Sequence, residues 1–166
     1  MSVQMNVSGL DGVMDMLDAL DDRQILDAAR KGLQSGLQDI RGAAVMLCPV
    51  DTGDLRKSIK TRTRIEGEEL VGEVYVGKEY GVFVEMGTGP KGEQNHEGVN
   101  PEWLAKTTYK PEGWVWPTGE EDKEEAYRFT LGQPARPFLY PAYKSQKHKV
   151  NEKIAAAVIR EAQKGG

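Results

Sequence analysis

The segment at residues 133–142 constrains the fold of this chain most strongly, because it holds three prolines within eight positions. Proline fixes its own φ and disfavours helix at the residue before it, so most of this segment must be extended and stiff. Pro141 stands where a proline can enter the first turn of a helix. We therefore predict a rigid bend before a C-terminal helix, with Phe138 and Leu139 in the core and Arg136 held in place. The simpler alternative is an ordinary proline-rich connector.

The length of 166 residues is that of one domain, and it allows a core without disulfides or metals. We expect a single domain over residues 1–166, with residues 90–130 as an insertion. No cofactor or metal site is predicted, since His96 and His148 are far apart and have no cysteines at ligand spacing. Cys48 cannot form an internal disulfide, and we expect it to be a small buried residue.

The charge of the chain disfavours a protein whose main task is to hold nucleic acid, because the net charge is −4 and the pI is about 5.3. The distribution is uneven, with −4 over residues 90–130, +5 over residues 131–166 and −5 over residues 1–89. This asymmetry would let copies or partners dock in a set order, although two solvated faces would also explain it. Apolar runs of membrane-spanning length and signal-peptide features are both missing, so we expect a soluble protein, made in the cytoplasm, with no membrane partner.

Apolar residues at helical spacing predict helices at residues 9–20, 23–47 and 141–164. Gly32 and Gly36 lie one turn apart on the second helix, where each costs up to about 1 kcal/mol against alanine. Either another element packs closely against them, or they are tolerated on the surface.

Two alternating segments after the second helix predict a β-hairpin with a loop at residues 66–69. Its register would pair Ile65 with Leu70, Thr61 with Val74, Ile59 with Val76 and Arg62 with Glu73. One face would pack on the long helix. The other face carries Lys60, Arg62 and Arg64, which either face DNA or form a solvated strand face partly paired with Glu73.

The segment after the hairpin predicts a short helical turn from the spacing of Tyr80, Phe83 and Val84, followed by a tight bend at Thr88. Residues 90–112 show little periodicity, which is typical of a long functional or mobile loop.

Two short strands are predicted at residues 114–116 and 126–130. Trp103, Trp114 and Trp116 all lie in the insertion and are candidates for a subunit interface, while a small satellite core under the loop is the alternative.

The triplet Asp51-Thr52-Gly53 also occurs in aspartic proteases, which use two carboxylates that share a proton. Here it occurs once and follows a helix instead of an apolar strand. The residues suit a turn in which Asp51 or Thr52 caps nearby amides and Gly53 adopts a conformation that other residues avoid.

Three strings, in this order, make the chain resemble the HK97 gp10-like family of tailed-phage and prophage proteins. Motif 1 is Pro49-x-Asp51-Thr52-Gly53-x-Leu55-Arg56-x-Ser58-Ile59. Motif 2 is Tyr80-x-x-Phe83-Val84-Glu85-Met86-Gly87-Thr88. Motif 3 is Gln133-Pro134-Ala135-Arg136-Pro137-Phe138-Leu139-Tyr140-Pro141-Ala142. The resemblance covers nearly the whole chain apart from residues 90–130, which exceed the family's minimal pattern.

The resemblance implies a non-enzymatic neck or tail-completion protein at the head–tail junction of the virion, made in the cytoplasm of a bacterial host. Its expected partners are further copies of itself in a ring, the head-side connector, the tail tube or terminator proteins, and DNA that passes through an acidic lumen. The alternatives are a tail terminator or other connector component, a DNA-binding module and, more remotely, a retroviral-type aspartic peptidase that uses Asp51.

The fold expected is α+β, with N-terminal helices, a small mainly antiparallel sheet, a C-terminal helix and a long inserted loop or hairpin. Within the motifs we expect Arg56, Glu85 and Arg136 to be fixed by an ion pair or by bonds to turn carbonyls, and Phe83 to be in the core. The residues that the resemblance marks for assembly are Asp51, Thr52, Gly53, Leu55, Arg56, Tyr80, Glu85, Gly87, Thr88, Pro134, Arg136, Pro137 and Phe138.

Overall fold

The computed structural model describes residues 1–6, 22–67, 69–117 and 127–165. Its helices are α1 (Asp22–Leu47), α2 (Asp54–Lys57), α3 (Gly81–Met86), α4 (Gly89–Gln94), α5 (Pro101–Leu104) and α6 (Leu139–Gly165). Its strands are β1 (Ser2–Asn6), β2 (Ile59–Glu66), β3 (Glu69–Val76), β4 (Trp114–Pro117) and β5 (Tyr127–Thr130). The predicted α+β class is confirmed, while the helix predicted at residues 9–20 lies outside the described residues.

The two long helices α1 and α6 pack against each other over much of their length. A Cβ atom added to Gly32 would lie 2.6 Å from Cα of Ile154, and one added to Gly36 would lie 2.8 Å from a methyl group of Val150. The two glycines therefore mark a close helix contact, which decides between the two alternatives that the sequence left open. Lys153 adds an ion pair across the same contact, with its Nζ atom 2.6 Å from Oδ2 of Asp39.

A three-stranded antiparallel sheet in the order β1-β3-β2 lies against α1. The predicted hairpin register is confirmed, and the pairing continues to Glu66 and Glu69, so the strands are longer than predicted. Leu33 of α1 sits over Gly72, where an added Cβ would lie 2.8 Å from its methyl carbon. Gln38 donates to the Thr61 hydroxyl at 3.0 Å, which links the polar part of the helix to the same face.

The opposite face of the sheet carries the predicted row of basic side chains. Glu73 is 4 % exposed and accepts hydrogen bonds from both Arg62 and Arg64. The guanidinium group of Arg62 also lies 5.2 Å from the ring centre of Tyr75. Arg62 and Arg64 are thus both ion-paired with Glu73, and Arg64 also pairs with Glu66. Because two of the three cations have acidic partners, this face favours the paired strand surface over a DNA-binding surface.

The described part of the insertion contains more regular structure than its sequence predicts. Residues that showed little periodicity form the short helices α4 and α5, each with a proline in its first turn. β4 and β5 form a separate two-stranded antiparallel ribbon close to the predicted positions. The hydroxyl group of Tyr109 donates to the carbonyl of Met86 at 2.8 Å and ties the insertion to α3.

Candidate functional site

The carboxylate of Glu85 caps the N-terminus of α6 from a distant part of the chain. It is wholly buried, and it accepts hydrogen bonds from the backbone amides of Phe138 and Leu139 at Oε2 and of Tyr140 at Oε1. A helix leaves its first four N–H groups without internal acceptors. Here three of those groups bind one carboxylate, and the fourth position is Pro141, which has no N–H.

This cap explains why α6 begins at Leu139, two residues before the predicted start. The predicted ion pair of Glu85 is wrong, because its partners are backbone amides, whose partial positive charge favours an anion. Burial raises the pKa of Glu85 above its usual range, and the three amide hydrogen bonds oppose that rise. The carboxylate is thus a buried structural group.

Hydrogen bonds and close backbone contacts join residues 83–88 of motif 2 to residues 133–140 of motif 3. Thr88 and Gln133 form a β-bridge through two backbone hydrogen bonds, and the amide of Arg136 donates to the carbonyl of Val84 at 2.8 Å. Gly87 has a φ of 73°, and an added Cβ would lie 2.6 Å from the nitrogen of Ala135. Only glycine therefore allows the two segments to approach this closely.

Motif 1 forms the predicted turn and is tied back to the end of α1. Gly53 has a φ of 82° and precedes α2, and the Thr52 hydroxyl accepts from the amide of Asp54 at 3.4 Å. Nε of Arg56 donates to the carbonyl of Cys48 at 2.8 Å, so the expected bond to a turn carbonyl is present. Cys48 is fully buried, as predicted.

The three motifs meet at one surface groove with a volume of about 680 Å³. Val50, Tyr80 and Phe83 are 58, 43 and 54 % exposed and give the groove an apolar wall. Among the described residues that line it, Asp51 and Arg136 are charged. Large exposed apolar side chains that cluster in a concave surface are typical of a binding site.

The structure brings most of the predicted assembly residues to this groove and leaves the others behind it. The residues that line the groove are Asp51, Thr52, Gly53, Leu55, Tyr80, Thr88, Trp114, Pro134 and Arg136. The residues that lie outside its lining are Arg56, Glu85, Gly87, Pro137, Phe138 and Trp103. Arg56, Glu85 and Gly87 make the hydrogen bonds and close backbone contacts that hold the lining segments together.

The expectation that Phe83 is a core residue is wrong. The buried positions of α3 are Gly81, Glu85 and Met86, and Phe83 lies on the other side of this short helix. Glu85 takes the inward position because it caps α6. Phe138 and Leu139 are both fully buried, as predicted.

Two of the three tryptophans take different places. Trp103 packs on the main core and lies 6.2 Å from Tyr140 between ring centres, while Trp114 is half-buried in the groove wall. The side chain of Trp116 lies outside the described part of the structure. Trp103 therefore belongs to the edge of the main core and forms neither an exposed interface nor a separate satellite core, and Trp114 stays a candidate for an interface.

The surroundings of Asp51 do not favour peptidase chemistry. Asp51 is exposed in a bend that follows a helix, and Gly53 immediately precedes another helix. In the described residues, no group of three or more His, Cys, Asp or Glu side chains is placed to bind a metal ion. The helices described are also too short or too polar to cross a membrane.

The geometry defines an α+β protein with a rigid, largely apolar surface groove. Residues 11–87 match the HK97-gp10-like family model, described as "Bacteriophage HK97-gp10, putative tail-component". No curated protein and no solved structure matches the chain. The family match confirms the resemblance over just under half of the chain, through motif 1 and up to Gly87. The family's description as a putative tail component is consistent with a structural protein of a phage. Motif 3 lies outside the matched residues.

Proposed function

We propose that this chain is a non-enzymatic structural protein of a tailed phage or prophage particle, and that it forms a homo-oligomeric ring at the head–tail junction. The ring would lie between the head-side connector and the tail tube, with DNA passing through its lumen. The observation that carries the proposal is the meeting of all three motifs at one exposed groove, which buried contacts hold rigid. The family match supports the more general statement within this proposal, that the chain is a structural component of a phage tail.

Rigidity is the property that such a joint requires. The cap by Glu85, the bridge between Thr88 and Gln133, and the bond from Arg56 fix the groove walls with buried or backbone hydrogen bonds. A preformed site loses little conformational entropy when a partner binds. The groove can therefore bind protein surfaces without rearrangement.

Charge supports an ordered assembly. Residues 90–130 carry a net −4, and residues 131–166 carry +5. Arg136 is exposed at the groove, and no ion pair or hydrogen bond of its guanidinium group occurs in the described part of the chain. Unlike surfaces on one chain suit a head-to-tail contact between copies, which closes into a ring if the rotation permits.

The test is disruption of the gene in the phage that encodes this chain, with electron microscopy of the lysate. We expect DNA-filled heads and separate tails, and restoration of whole particles by a plasmid copy of the gene. Tails of abnormal length would indicate a tail terminator instead. Normal infectious particles without the protein would contradict the proposal.

A further inference from the structure

The three-stranded sheet has two edges that no other described strand pairs with. The order β1-β3-β2 leaves β1 and β2 at the edges, and within the described residues each of them pairs with β3 alone. An edge strand presents a row of unpaired backbone N–H and C=O groups to which another chain can add. Proline or a bulge often prevents this, but β2 has neither and runs for eight residues in continuous register.

The backbone groups of β2 that point outward follow from one hydrogen bond. The amide of Gly77 donates to the carbonyl of Ser58 at 2.9 Å, so these residues form a hydrogen-bonded pair. Because such pairs alternate along an antiparallel ladder, the odd-numbered positions of β2 turn their N–H and C=O groups away from β3. Arg41 confirms this, since its Nε donates to the carbonyl of Ile59 at 2.8 Å. The described residues supply no partner for the outward groups of Thr61, Thr63 and Ile65.

The same argument applies to β1 at the other edge. The amide of Val76 donates to the carbonyl of Met1 at 3.2 Å, so the outward positions of β1 are Ser2, Gln4 and Asn6. Both outer strands run antiparallel to β3 and are therefore parallel to each other. A neighbouring copy in the same orientation can thus place its β1 beside β2, with the helices of both copies on the same side of the sheet.

We propose that β1 of one copy adds to β2 of the next copy as a parallel strand, with Val3 opposite Thr61 and Met5 opposite Thr63. Within one copy, Val3 and Thr61 already pair with the same residue of β3, and so do Met5 and Thr63, so this register continues the rows of the sheet. It would form about five backbone hydrogen bonds. The inference rests on the proposed function and names the contact that builds its ring, because head-to-tail repetition of unlike edges closes into a ring.

The surroundings of the β2 edge suit an added strand. A groove of about 340 Å³ lies beside it, lined by Gln34, Ser35, Gln38, Thr61, Arg62 and Thr63. Gln34 and Gln38 of α1 donate to the hydroxyl groups of Thr63 and Thr61 at 3.4 and 3.0 Å. The edge is therefore flanked by uncharged polar groups that can form hydrogen bonds with another backbone.

Charge identifies which strand of a second copy β2 can accept. Antiparallel pairing of β2 with β2 about Thr63 would set Arg62 of one copy opposite Arg64 of the other, and like charges directly opposite are destabilising. Shifted registers have the same fault, because Lys60, Arg62 and Arg64 alternate along the strand. The sequence of β1, SVQMN, contains no charged residue. The contact is therefore between unlike edges, and a two-fold dimer through β2 is disfavoured.

Residues 7–21 of the same chain lie outside the described part, and they are the alternative cover for these edges. They connect Asn6 to Asp22, and both positions lie toward the end of the sheet nearest the loop between β2 and β3. The sequence predicts a helix at residues 9–20, and a helix forms its backbone hydrogen bonds internally. A helix cannot supply the extended backbone that the free groups of β2 pair with. If this segment covered the edges, the chain would stay monomeric.

The first test removes one outward N–H group from β2. Thr63→Pro leaves the ladder with β3 intact, because proline is tolerated at an edge position whose N–H faces away from the sheet. Thr63→Val loses the same hydroxyl group but keeps the N–H and is the matched control. In sedimentation velocity of the full-length chain, the wild type should form a closed oligomer, Thr63→Pro should associate at least about tenfold more weakly, and Thr63→Val should stay within about twofold of the wild type.

The second test is a disulfide between copies, and it does not depend on how well the proline variant folds. In one copy, Val3 and Thr61 are separated by two strand spacings, about 10 Å, which exceeds the Cα separation of about 4.4–6.8 Å that a disulfide allows. Across the proposed contact they are neighbours, so the double variant Val3→Cys, Thr61→Cys should form a covalent ladder on mild oxidation. Val3→Cys with Ile65→Cys, displaced along β2 by about 13 Å, should not. The native Cys48 is buried.

Three results would overturn the inference: a wild-type chain that remains monomeric, a folded Thr63→Pro variant that associates as the wild type does, or a double-cysteine variant that forms no ladder. Circular dichroism melting shows whether the proline variant is folded. Unjoined heads and tails after gene disruption, together with any of these three results, would remove this contact alone. Association through the edges in solution, with normal particles after gene disruption, would instead remove the proposed function.

Discussion

The backbone amide of Phe138 donates a 2.7 Å hydrogen bond to Oε2 of Glu85, and neither residue is exposed to solvent. The bond spans 53 positions of sequence and joins the short helix of motif 2 to the start of the C-terminal helix. Because α3 carries part of the groove wall, this bond makes the position of the wall depend on the cap of α6. The stability of the fold and the shape of the candidate binding surface therefore share one carboxylate.

Replacement of Glu85 by alanine should lower the free energy of unfolding by about 3 kcal/mol or more, because two buried amides and one partly buried amide would lose their acceptor. Glu85→Gln should cost less, since its one oxygen can still accept from Phe138 and Leu139. Urea denaturation measures both. Glu152→Ala, at an exposed position of α6, is the matched control and should change the free energy of unfolding by less than about 0.5 kcal/mol. Equal stability of Glu85→Ala and the wild type would rule out the cap.

The pH dependence of stability should report the buried state of Glu85. Burial raises the pKa of this carboxyl, so the folded chain holds its proton more tightly than the unfolded chain. The free energy of unfolding of the wild type, relative to Glu85→Gln, should be highest below the unfolded pKa of about 4.3 and should fall as pH rises through the folded value. Urea titrations of both proteins from about pH 3.5 to 8 measure the difference, and a rise over this interval would contradict it.

Glu73 should give the opposite pH dependence of the free energy of unfolding. Burial raises the pKa of Glu73, but hydrogen bonds from Arg62, Ser2 and Arg64 outweigh it and hold the pKa below its usual range. The wild type should therefore exceed Glu73→Gln in stability above about pH 4.3, and lose that advantage as pH falls through the folded pKa. Urea titrations of the wild type and Glu73→Gln over the same pH range measure this difference in stability. If the wild type became more stable relative to Glu73→Gln toward acid pH, the ion pairs of Glu73 would not form.

The glycines of α1 offer a test of helix packing. Gly32→Ala and Gly36→Ala should each lower the free energy of unfolding by about 1–3 kcal/mol, because the added methyl group would meet α6. Gly42 lies on the same helix with nothing within 4 Å of an added Cβ, so Gly42→Ala should raise stability by up to about 1 kcal/mol. Thermal melting of the three variants decides the matter. If all three changes had the same sign, the close contact would not exist.

A substitution at Arg136 should affect assembly without affecting folding. Its exposed guanidinium group makes no bond in the described residues, so Arg136→Ala should leave the melting temperature within about 2 °C of the wild type. The same change should impair self-association or rescue of the disrupted gene. Arg160→Ala, at an exposed position on α6, is the control that should rescue fully. Normal rescue by Arg136→Ala would make Arg136 an ordinary surface residue.

The sequence predicts the elements of this fold whose causes are local. Apolar spacing places α1 to within one residue, and strand alternation gives the correct register of β2 and β3 from Ile59 to Leu70. The turn at Gly53 follows from residue type alone, since glycine readily adopts a positive φ.

The features that the sequence does not reveal depend on contacts between distant segments. The amides that Glu85 caps lie more than 50 residues away, so local capping rules do not identify it. The family motifs predict Phe83 in the core, but Glu85 occupies the inward side of α3. The short helices α4 and α5 are too brief to show periodicity.

The most direct test of the whole account is a cryo-electron microscopy map of the head–tail junction of particles that carry this chain. We predict a ring of identical subunits between the head-side connector and the tail tube. Particles whose junction is complete without density for this chain would contradict the account.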